Sequence, residues 1–132
     1  MATRSLIGIK MGNIVKTIYC HWDGYPEHVG ELLVHDYNTP ALITELMELG
    51  DLSSLDATPA SCVAYHRDRN EPYGMVEARD VDPDQLMSVG NDYGVNYVYV
   101  YNDENEWDCY QLSYIYDKLI PVDILSGKVA LN

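Results

Sequence analysis

An alternating pattern near the N-terminus constrains the fold more than any other feature of the sequence. Residues Ser5–Lys10 and Ile14–His21 carry apolar side chains at spaced positions, with lysines between them, and a short turn with Gly12 and Asn13 separates the two segments. Such segments around a turn containing glycine and asparagine predict two strands paired as a β-hairpin.

A second hairpin is predicted in the C-terminal half of the chain. Residues Val95–Asn102 are rich in valine and tyrosine, and β-branched and aromatic residues favour strands. Residues 103–105 form a polar turn, and Glu106–Leu112 supplies the partner strand.

Helices are predicted between the hairpins. Thr39 is a good N-cap, Pro40 suits the first helical position, and Gly50 ends the apolar helical periodicity between them. Shorter helices are predicted over Glu27–His35 and from Asp82 to Gly90. We expect an α+β fold, with an antiparallel sheet built from the two hairpins and two or three helices on one face.

The remaining segments carry weaker patterns. Asp51–Ser61 is predicted as a polar loop, Cys62–His66 and Met75–Val81 as strands, and residues 120–125 as a short docked tail. The length of 132 residues fits one domain over residues 1–132.

The charge is strongly acidic. The chain holds 21 Asp and Glu against 8 Lys and Arg, a formal charge of −13. This balance argues against direct binding to nucleic acid or anionic lipid, which needs a basic surface. Two alternatives remain open: the acids imitate phosphate to a basic partner, or they only keep the protein soluble. Without an apolar membrane span or a signal peptide, we expect a soluble, cytosolic protein.

Catalytic and metal-binding patterns are missing from the sequence. It has no nucleophile elbow, no phosphate-binding Walker loop and no dinucleotide fingerprint. The four histidines lack metal-ligand spacing, and the three cysteines form no Cys-x-x-Cys pair, so buried reduced thiols are expected. We therefore expect a protein that is not an enzyme and uses no metal and no cofactor.

The basic residues of the middle segment suggest an anion site. Arg67 and Arg69 project to the same side if the segment is extended, and guanidinium groups bind phosphate through paired hydrogen bonds. Tyr65 and Tyr73 flank them and can stack on a base. The alternative is that both arginines form salt bridges with neighbouring acids. His66 and Arg79 lie close by in sequence.

A second dense cluster follows the first hairpin. His21, Trp22, Asp23 and Tyr25 at a strand end are typical of the rim of a small-ligand site. The alternative is a packing corner in which Asp23 caps the turn. A third patch, residues 102–108, holds four acids and is either a solvated turn or a phosphate-mimicking edge.

Several blocks of the sequence resemble a family of small phage and prophage proteins. They cover roughly the first half of the chain. The blocks are Thr3-Arg4-Ser5-Leu6-Ile7-Gly8, Ile18-Tyr19-Cys20-His21-Trp22-Asp23-Gly24-Tyr25-Pro26, Leu49-Gly50-Asp51-Leu52-Ser53-Ser54-Leu55 and Tyr65-His66-Arg67-Asp68-Arg69.

Through this family the chain is similar to the phage anti-Thoeris signal sponges. That resemblance implies a homo-oligomeric anti-defence protein that captures a cyclic nucleotide-type immune signal, such as a cyclic ADP-ribose isomer or a cyclic oligonucleotide, without cleaving it. The expected ligand-binding residues are His21, Trp22, Asp23, Tyr25, Tyr65, His66, Arg67, Arg69 and Arg79. The alternative function is an acidic DNA mimic that inhibits a host nuclease or CRISPR complex.

Overall fold

A computed structural model describes residues 2–124 and 128–129 of the chain. The strands in the described residues are β1 (Ser5–Met11), β2 (Ile14–Cys20), β3 (Leu52–Ser54), β4 (Val63–Ala64), β5 (Arg79–Val81), β6 (Tyr97–Tyr101), β7 (Trp107–Ser113), β8 (Lys118–Asp123) and β9 (Lys128–Val129). The α-helices are α1 (Glu31–Asp36), α2 (Pro40–Leu49), α3 (Tyr65–Arg69), α4 (Tyr73–Val76) and α5 (Leu86–Tyr93). Short helical turns span Pro26–Gly30, Pro59–Ser61 and Pro83–Gln85.

One sheet organises the described strands. Its order is β4-β3-β2-β1-β6-β7-β8-β9, and β5 pairs with β2 outside this path. β1 and β2 form the first hairpin, and β6 and β7 form the second. β1 and β6 lie side by side in parallel, so the two hairpins join at the centre of the sheet. The α+β class and both predicted hairpins are confirmed.

The sheet is larger than predicted, and it is mixed rather than antiparallel. Parallel pairs join β1 to β6 and β2 to β3, because long connections return the chain to the sheet in the same direction. Three very short strands, β3, β4 and β5, extend the sheet beyond the first hairpin. The predicted tail at residues 120–125 overlaps the second half of β8, which pairs with β7, whereas residue 125 lies outside the described residues.

Helices cover both faces of the sheet, which corrects the expectation of helices on one face. Ile7 of β1 packs in a core that also contains residues of α1 and α2. Its neighbour Leu6 belongs to a second core, together with Leu86 of α5. Successive side chains of a strand point to opposite faces, so α5 lies opposite α1 and α2.

The helix at residues 40–49 begins and ends as predicted. The Thr39 hydroxyl accepts a hydrogen bond from the Leu42 N–H at 3.3 Å, and Pro40 occupies the first turn. Gly50 follows the helix with φ of +75°, a conformation that favours glycine. The Gly50 backbone thereby leads directly into Asp51 and β3.

The segment from residue 62 to residue 81 differs most from its prediction. Only Val63–Ala64 and Arg79–Val81 are strands, and two short helices, Tyr65–Arg69 and Tyr73–Val76, replace the rest of the predicted strands. The helix α5 does not end at Gly90 as predicted but continues to Tyr93. Gly94 follows it with φ of +67°. The charged sequence of α3 shows neither the apolar spacing of a helix nor the alternation of a strand, so its pattern could not identify a helix.

Candidate functional site

Polar and aromatic side chains replace the apolar core on part of the α5 face of the sheet. Leu6 and Tyr19 pair across the first hairpin, and both belong to the core on that face. The register that pairs Ser5 with Cys20, continued by one pair, places Arg4 opposite His21. Alternation along the strands therefore puts Arg4, Tyr19 and His21 together, beyond the end of α5.

Tyr19 and His21 form the centre of this group. The Tyr19 hydroxyl lies 2.7 Å from His21 Nδ1, a short hydrogen bond. The Tyr19 ring also packs on Tyr93 of α5, with the ring centroids 5.5 Å apart. The Trp22 indole meets the His21 ring edge-on at 4.7 Å. The four rings thus form one continuous aromatic surface.

Three arginines surround the aromatic surface. A Cβ added to Gly94 would lie 3.1 Å from Arg4 Nη1, which places the Arg4 guanidinium beside the end of α5. The Arg69 guanidinium lies 5.5 Å from the centre of the Tyr65 ring, and the Arg79 guanidinium lies 4.8 Å from the centre of the Tyr93 ring. We call Arg4, Tyr19, His21, Trp22, Tyr65, Arg69, Arg79 and Tyr93 the cationic–aromatic face.

The pairing of positive charges distinguishes two of these arginines. Four described cations lie within 4.0 Å of a carboxylate, in the pairs Lys10–Asp103, Lys16–Asp80, Arg67–Asp68 and Arg79–Asp51. Among the described side chains, Arg4 and Arg69 have no such carboxylate. In a chain with a formal charge of −13, both of these arginines nevertheless act on one histidine, His21.

The pKa of His21 shows that the charges of Arg4 and Arg69 both reach its ring. The pKa of His21 is lowered from its ordinary value, first by burial and then by the positive charges of Arg4 and Arg69. Burial raises the pKa of Tyr19 to about 12. Near neutral pH the imidazole and the hydroxyl are therefore both uncharged, and the positive charge of the face belongs to its guanidiniums.

Arg79 is fixed by a nearly buried carboxylate. Its Nη2 donates to both oxygens of Asp51, at 3.0 and 2.8 Å. Asp51 Oδ1 also accepts a hydrogen bond from the Tyr19 backbone N–H at 2.8 Å. Burial raises the pKa of Asp51, while Arg79 opposes that rise.

In the described part of the chain, the buried donors Arg4 Nε and Arg79 Nη1 have no hydrogen-bond partner.

Arg67 does not join this face, and the expectation that it projects to the same side as Arg69 is wrong. Both lie on α3, where residues two apart point in different directions. The Arg67 guanidinium donates to the carbonyl groups of Pro59 at 3.0 Å and Cys62 at 2.6 Å. It also contacts Asp68, so the predicted alternative of a salt bridge holds for Arg67.

The other predicted site residues lie at the edges of the face or away from it. The His66 ring packs edge-on against Tyr73 at 5.2 Å, and His66 Nδ1 lies 2.7 Å from the Glu71 carbonyl oxygen. Tyr25 packs near His28 with ring centroids 6.3 Å apart. Asp23 occupies the turn with φ of +56°. None of these contacts joins them to Arg4 or Tyr19.

Three residues of the face were missed from the sequence, namely Arg4, Tyr19 and Tyr93. Arg4 and Tyr19 carried a usable signal, because the predicted hairpin brings residues 4 and 21 together. Tyr93 carried none, since its contact with Tyr19 depends on how α5 packs on the sheet.

Metal and membrane features are not found in the described residues. No group of three or more histidine, cysteine, aspartate or glutamate side chains within residues 2–124 is arranged to hold a metal ion. No helix in the same part of the chain is long and apolar enough to cross a membrane. The three cysteines are buried and free, and burial raises the pKa of Cys20 and of Cys109 to about 12.

Comparisons with known proteins return no similarity that bears on this site. No protein-family model, no curated protein and no solved structure matches the chain.

Proposed function

We propose that this protein binds and sequesters a cyclic nucleotide-type immune signal at the cationic–aromatic face, without cleaving it. In the proposal it acts as a phage anti-defence protein in the host cytoplasm, on a cyclic ADP-ribose isomer or a cyclic oligonucleotide. The observation that carries the proposal is a pair of guanidiniums, Arg4 and Arg69, which have no carboxylate within 4.0 Å among the described residues and whose charges both act on His21.

The charges of the face favour an anion over other ligands. Guanidinium groups bind phosphate oxygens through paired, charge-assisted hydrogen bonds. Arg4 Nε is a buried donor without a partner in the described part of the chain, and a buried unsatisfied donor is costly until an acceptor reaches it. A phosphate group between Arg4 and Arg69 would supply acceptors to both.

The rings of the face favour a ligand with a flat, polarisable part. The Trp22 side chain is 46% exposed although it lies beside a buried strand end. Base stacking on an aromatic side chain contributes about 1–3 kcal/mol. Phosphate on the arginines and a base on Trp22 together describe a nucleotide.

Assembly into a homo-oligomer is part of the proposal. The face is open on the side of Trp22 and Arg69, both of which are exposed. A small-molecule site normally covers most of its ligand. A second protomer that covers this side would enclose the ligand and slow its release.

Native mass spectrometry of the full chain tests the proposal. The protein is measured before and after incubation with a panel of cyclic ADP-ribose isomers and cyclic oligonucleotides. The expected result is a defined oligomer that gains the mass of one panel member and releases it unaltered on heating. A ligand that is released as a cleaved product, or no uptake from the whole panel, would contradict it.

A second candidate function is supported by the turn between β6 and β7. The Asn102 side chain accepts hydrogen bonds from the backbone N–H groups of Glu104 and Glu106, at 2.9 and 3.1 Å. This fixed turn presents exposed Glu104 and Glu106 beside Asp103. An acidic DNA mimic would use such an edge, and it predicts salt-sensitive binding to a basic host protein that Glu104→Gln with Glu106→Gln weakens.

A further inference from the structure

We infer that anion binding at the cationic–aromatic face is coupled to the uptake of one proton by His21. This inference rests on the proposed function, because it assigns an anion to the space beside Arg4 and Arg69. It adds that His21 changes from a neutral imidazole to an imidazolium when the anion arrives, and so becomes part of the anion site.

The geometry places His21 where an anion between the two arginines would contact it. Arg4 and His21 directly flank Ser5 and Cys20, the last pair of the first hairpin, and Arg69 of α3 is close enough for its charge, like that of Arg4, to act on His21. The Tyr19 hydroxyl holds Nδ1 at 2.7 Å, and this hydrogen bond fixes the orientation of the ring. A protonated ring can donate to Tyr19 and to the anion at the same time, since an imidazolium has two N–H donors.

Electrostatics give the direction of the change. Without an anion, burial and then the charges of Arg4 and Arg69 keep the pKa of His21 below its ordinary value of 6.5. A bound anion cancels the repulsion from Arg4 and Arg69 and adds an attraction, so it raises the affinity of His21 for a proton.

The other titratable groups around His21 do not replace this effect. Tyr19 and Tyr65 both have a raised pKa and stay neutral in the range where histidine titrates. Asp51 is nearly buried and occupied by Arg79 and the Tyr19 N–H. The titratable and charged groups on the elements around His21 are Arg4 before β1, Tyr19 on β2, Asp51 before β3, Tyr65 and Arg69 on α3, Glu71 after α3, and Arg79 with Tyr93 beside Tyr19.

A titration of the histidine rings by NMR tests this inference on the full chain. The probe is sulfate, a dianion whose charge is constant between about pH 5 and 8, and chloride at equal ionic strength is the control. His21→Gln identifies the His21 signal. The expected result is a higher His21 titration midpoint in sulfate than in chloride, and an affinity for sulfate that falls by up to about tenfold per pH unit between the two midpoints.

Single substitutions distinguish the effect of Arg4 and Arg69 on His21 from the effect of the protein's overall charge. Arg69→Gln should lower the sulfate effect and raise the midpoint measured in chloride, because it removes one source of repulsion. Arg4→Gln should also lower the sulfate effect and raise the midpoint measured in chloride. Lys118→Gln is the matched control, since Lys118 also lacks a carboxylate within 4.0 Å among the described residues but lies on β8.

The outcomes distinguish this inference from the proposed function. Equal His21 midpoints in sulfate and chloride would overturn proton coupling, even if a cyclic nucleotide binds. A midpoint raised by sulfate in the wild type and not in Arg69→Gln would support proton coupling. If that shift occurs and no cyclic nucleotide binds, the anion site stands and the proposed function fails.

Discussion

Arg4 and His21 directly flank Ser5 and Cys20, the last pair of the first hairpin, and the lowered pKa of His21 results first from burial and then from the charge of Arg4. The Arg4 guanidinium therefore acts on a histidine whose Nδ1 lies 2.7 Å from the Tyr19 hydroxyl, within hydrogen-bond distance. Cross-strand neighbours on one face are close enough to interact directly. The arrangement has consequences for stability and for binding that can be measured separately.

The stability of the protein should depend on pH through His21. The folded-state pKa of His21 lies below the ordinary value of 6.5, so the unfolded chain binds the proton more readily than the folded protein does. The wild type should therefore lose free energy of unfolding relative to His21→Gln as the pH falls from about 7 to about 5. Urea unfolding at several pH values measures the difference, and parallel curves for the two proteins would contradict it.

Arg67→Gln should affect stability and leave ligand capture unchanged. The Arg67 guanidinium ties α3 to the carbonyl groups of Pro59 and Cys62. Loss of these partly exposed hydrogen bonds should cost about 1–2 kcal/mol of the free energy of unfolding. Urea unfolding measures the cost, and Arg69→Gln is the comparison, because the Arg69 guanidinium packs over the Tyr65 ring at 5.5 Å and forms no ion pair with a carboxylate of the described residues. Lost capture in Arg67→Gln at full stability would show that Arg67 binds ligand.

Ligand binding should change the fluorescence of Trp22 and leave that of Trp107 unaltered. Trp22 is 46% exposed at the cationic–aromatic face, whereas the Trp107 indole N–H donates to the Tyr37 carbonyl at 2.9 Å in the opposite core. Trp107→Phe should keep the fluorescence response to a bound nucleotide and Trp22→Phe should lose it. A response that survives in Trp22→Phe would place the ligand elsewhere.

Gly50→Ala should destabilise the fold strongly. Gly50 has φ of +75°, and an added Cβ would collide with the Val76 carbonyl oxygen, which also accepts a 2.7 Å hydrogen bond from the Asp51 N–H. The expected loss is above about 2 kcal/mol of the free energy of unfolding. Gly74→Ala is the matched control, because an added Cβ there meets no atom within 4 Å. Equal stability of the two variants, measured by urea unfolding, would be inconsistent with this packing.

The local parts of the fold were predictable from the sequence, and the long-range parts were not. Both hairpins and the capped helix after Thr39 follow from alternation, turn residues and a proline in the first turn. The parallel pairing of β1 with β6 joins residues about 90 positions apart, and no local pattern encodes it. The strands β3, β4 and β5 have two or three residues each, too few for a periodicity to show.

The candidate site was predictable to a similar extent. The sequence predicts five members of the face as ligand-binding residues, namely His21, Trp22, Tyr65, Arg69 and Arg79. Arg67 was misplaced, because α3 was predicted as an extended segment. That error exchanged one arginine for another, since Arg4, directly before the first strand, takes the place near His21.

Calorimetric titration of the panel member that binds the wild type tests the central claim most directly. Three proteins are compared: the wild type, Arg4→Gln with Arg69→Gln, and Lys16→Gln with Lys118→Gln, which removes the same total charge away from the cationic–aromatic face. We expect the control to bind like the wild type and the arginine variant to bind at least about a hundredfold more weakly, since each charge-assisted contact contributes about 1.5–3 kcal/mol. Equal affinity of all three folded proteins would contradict a ligand site at Arg4 and Arg69.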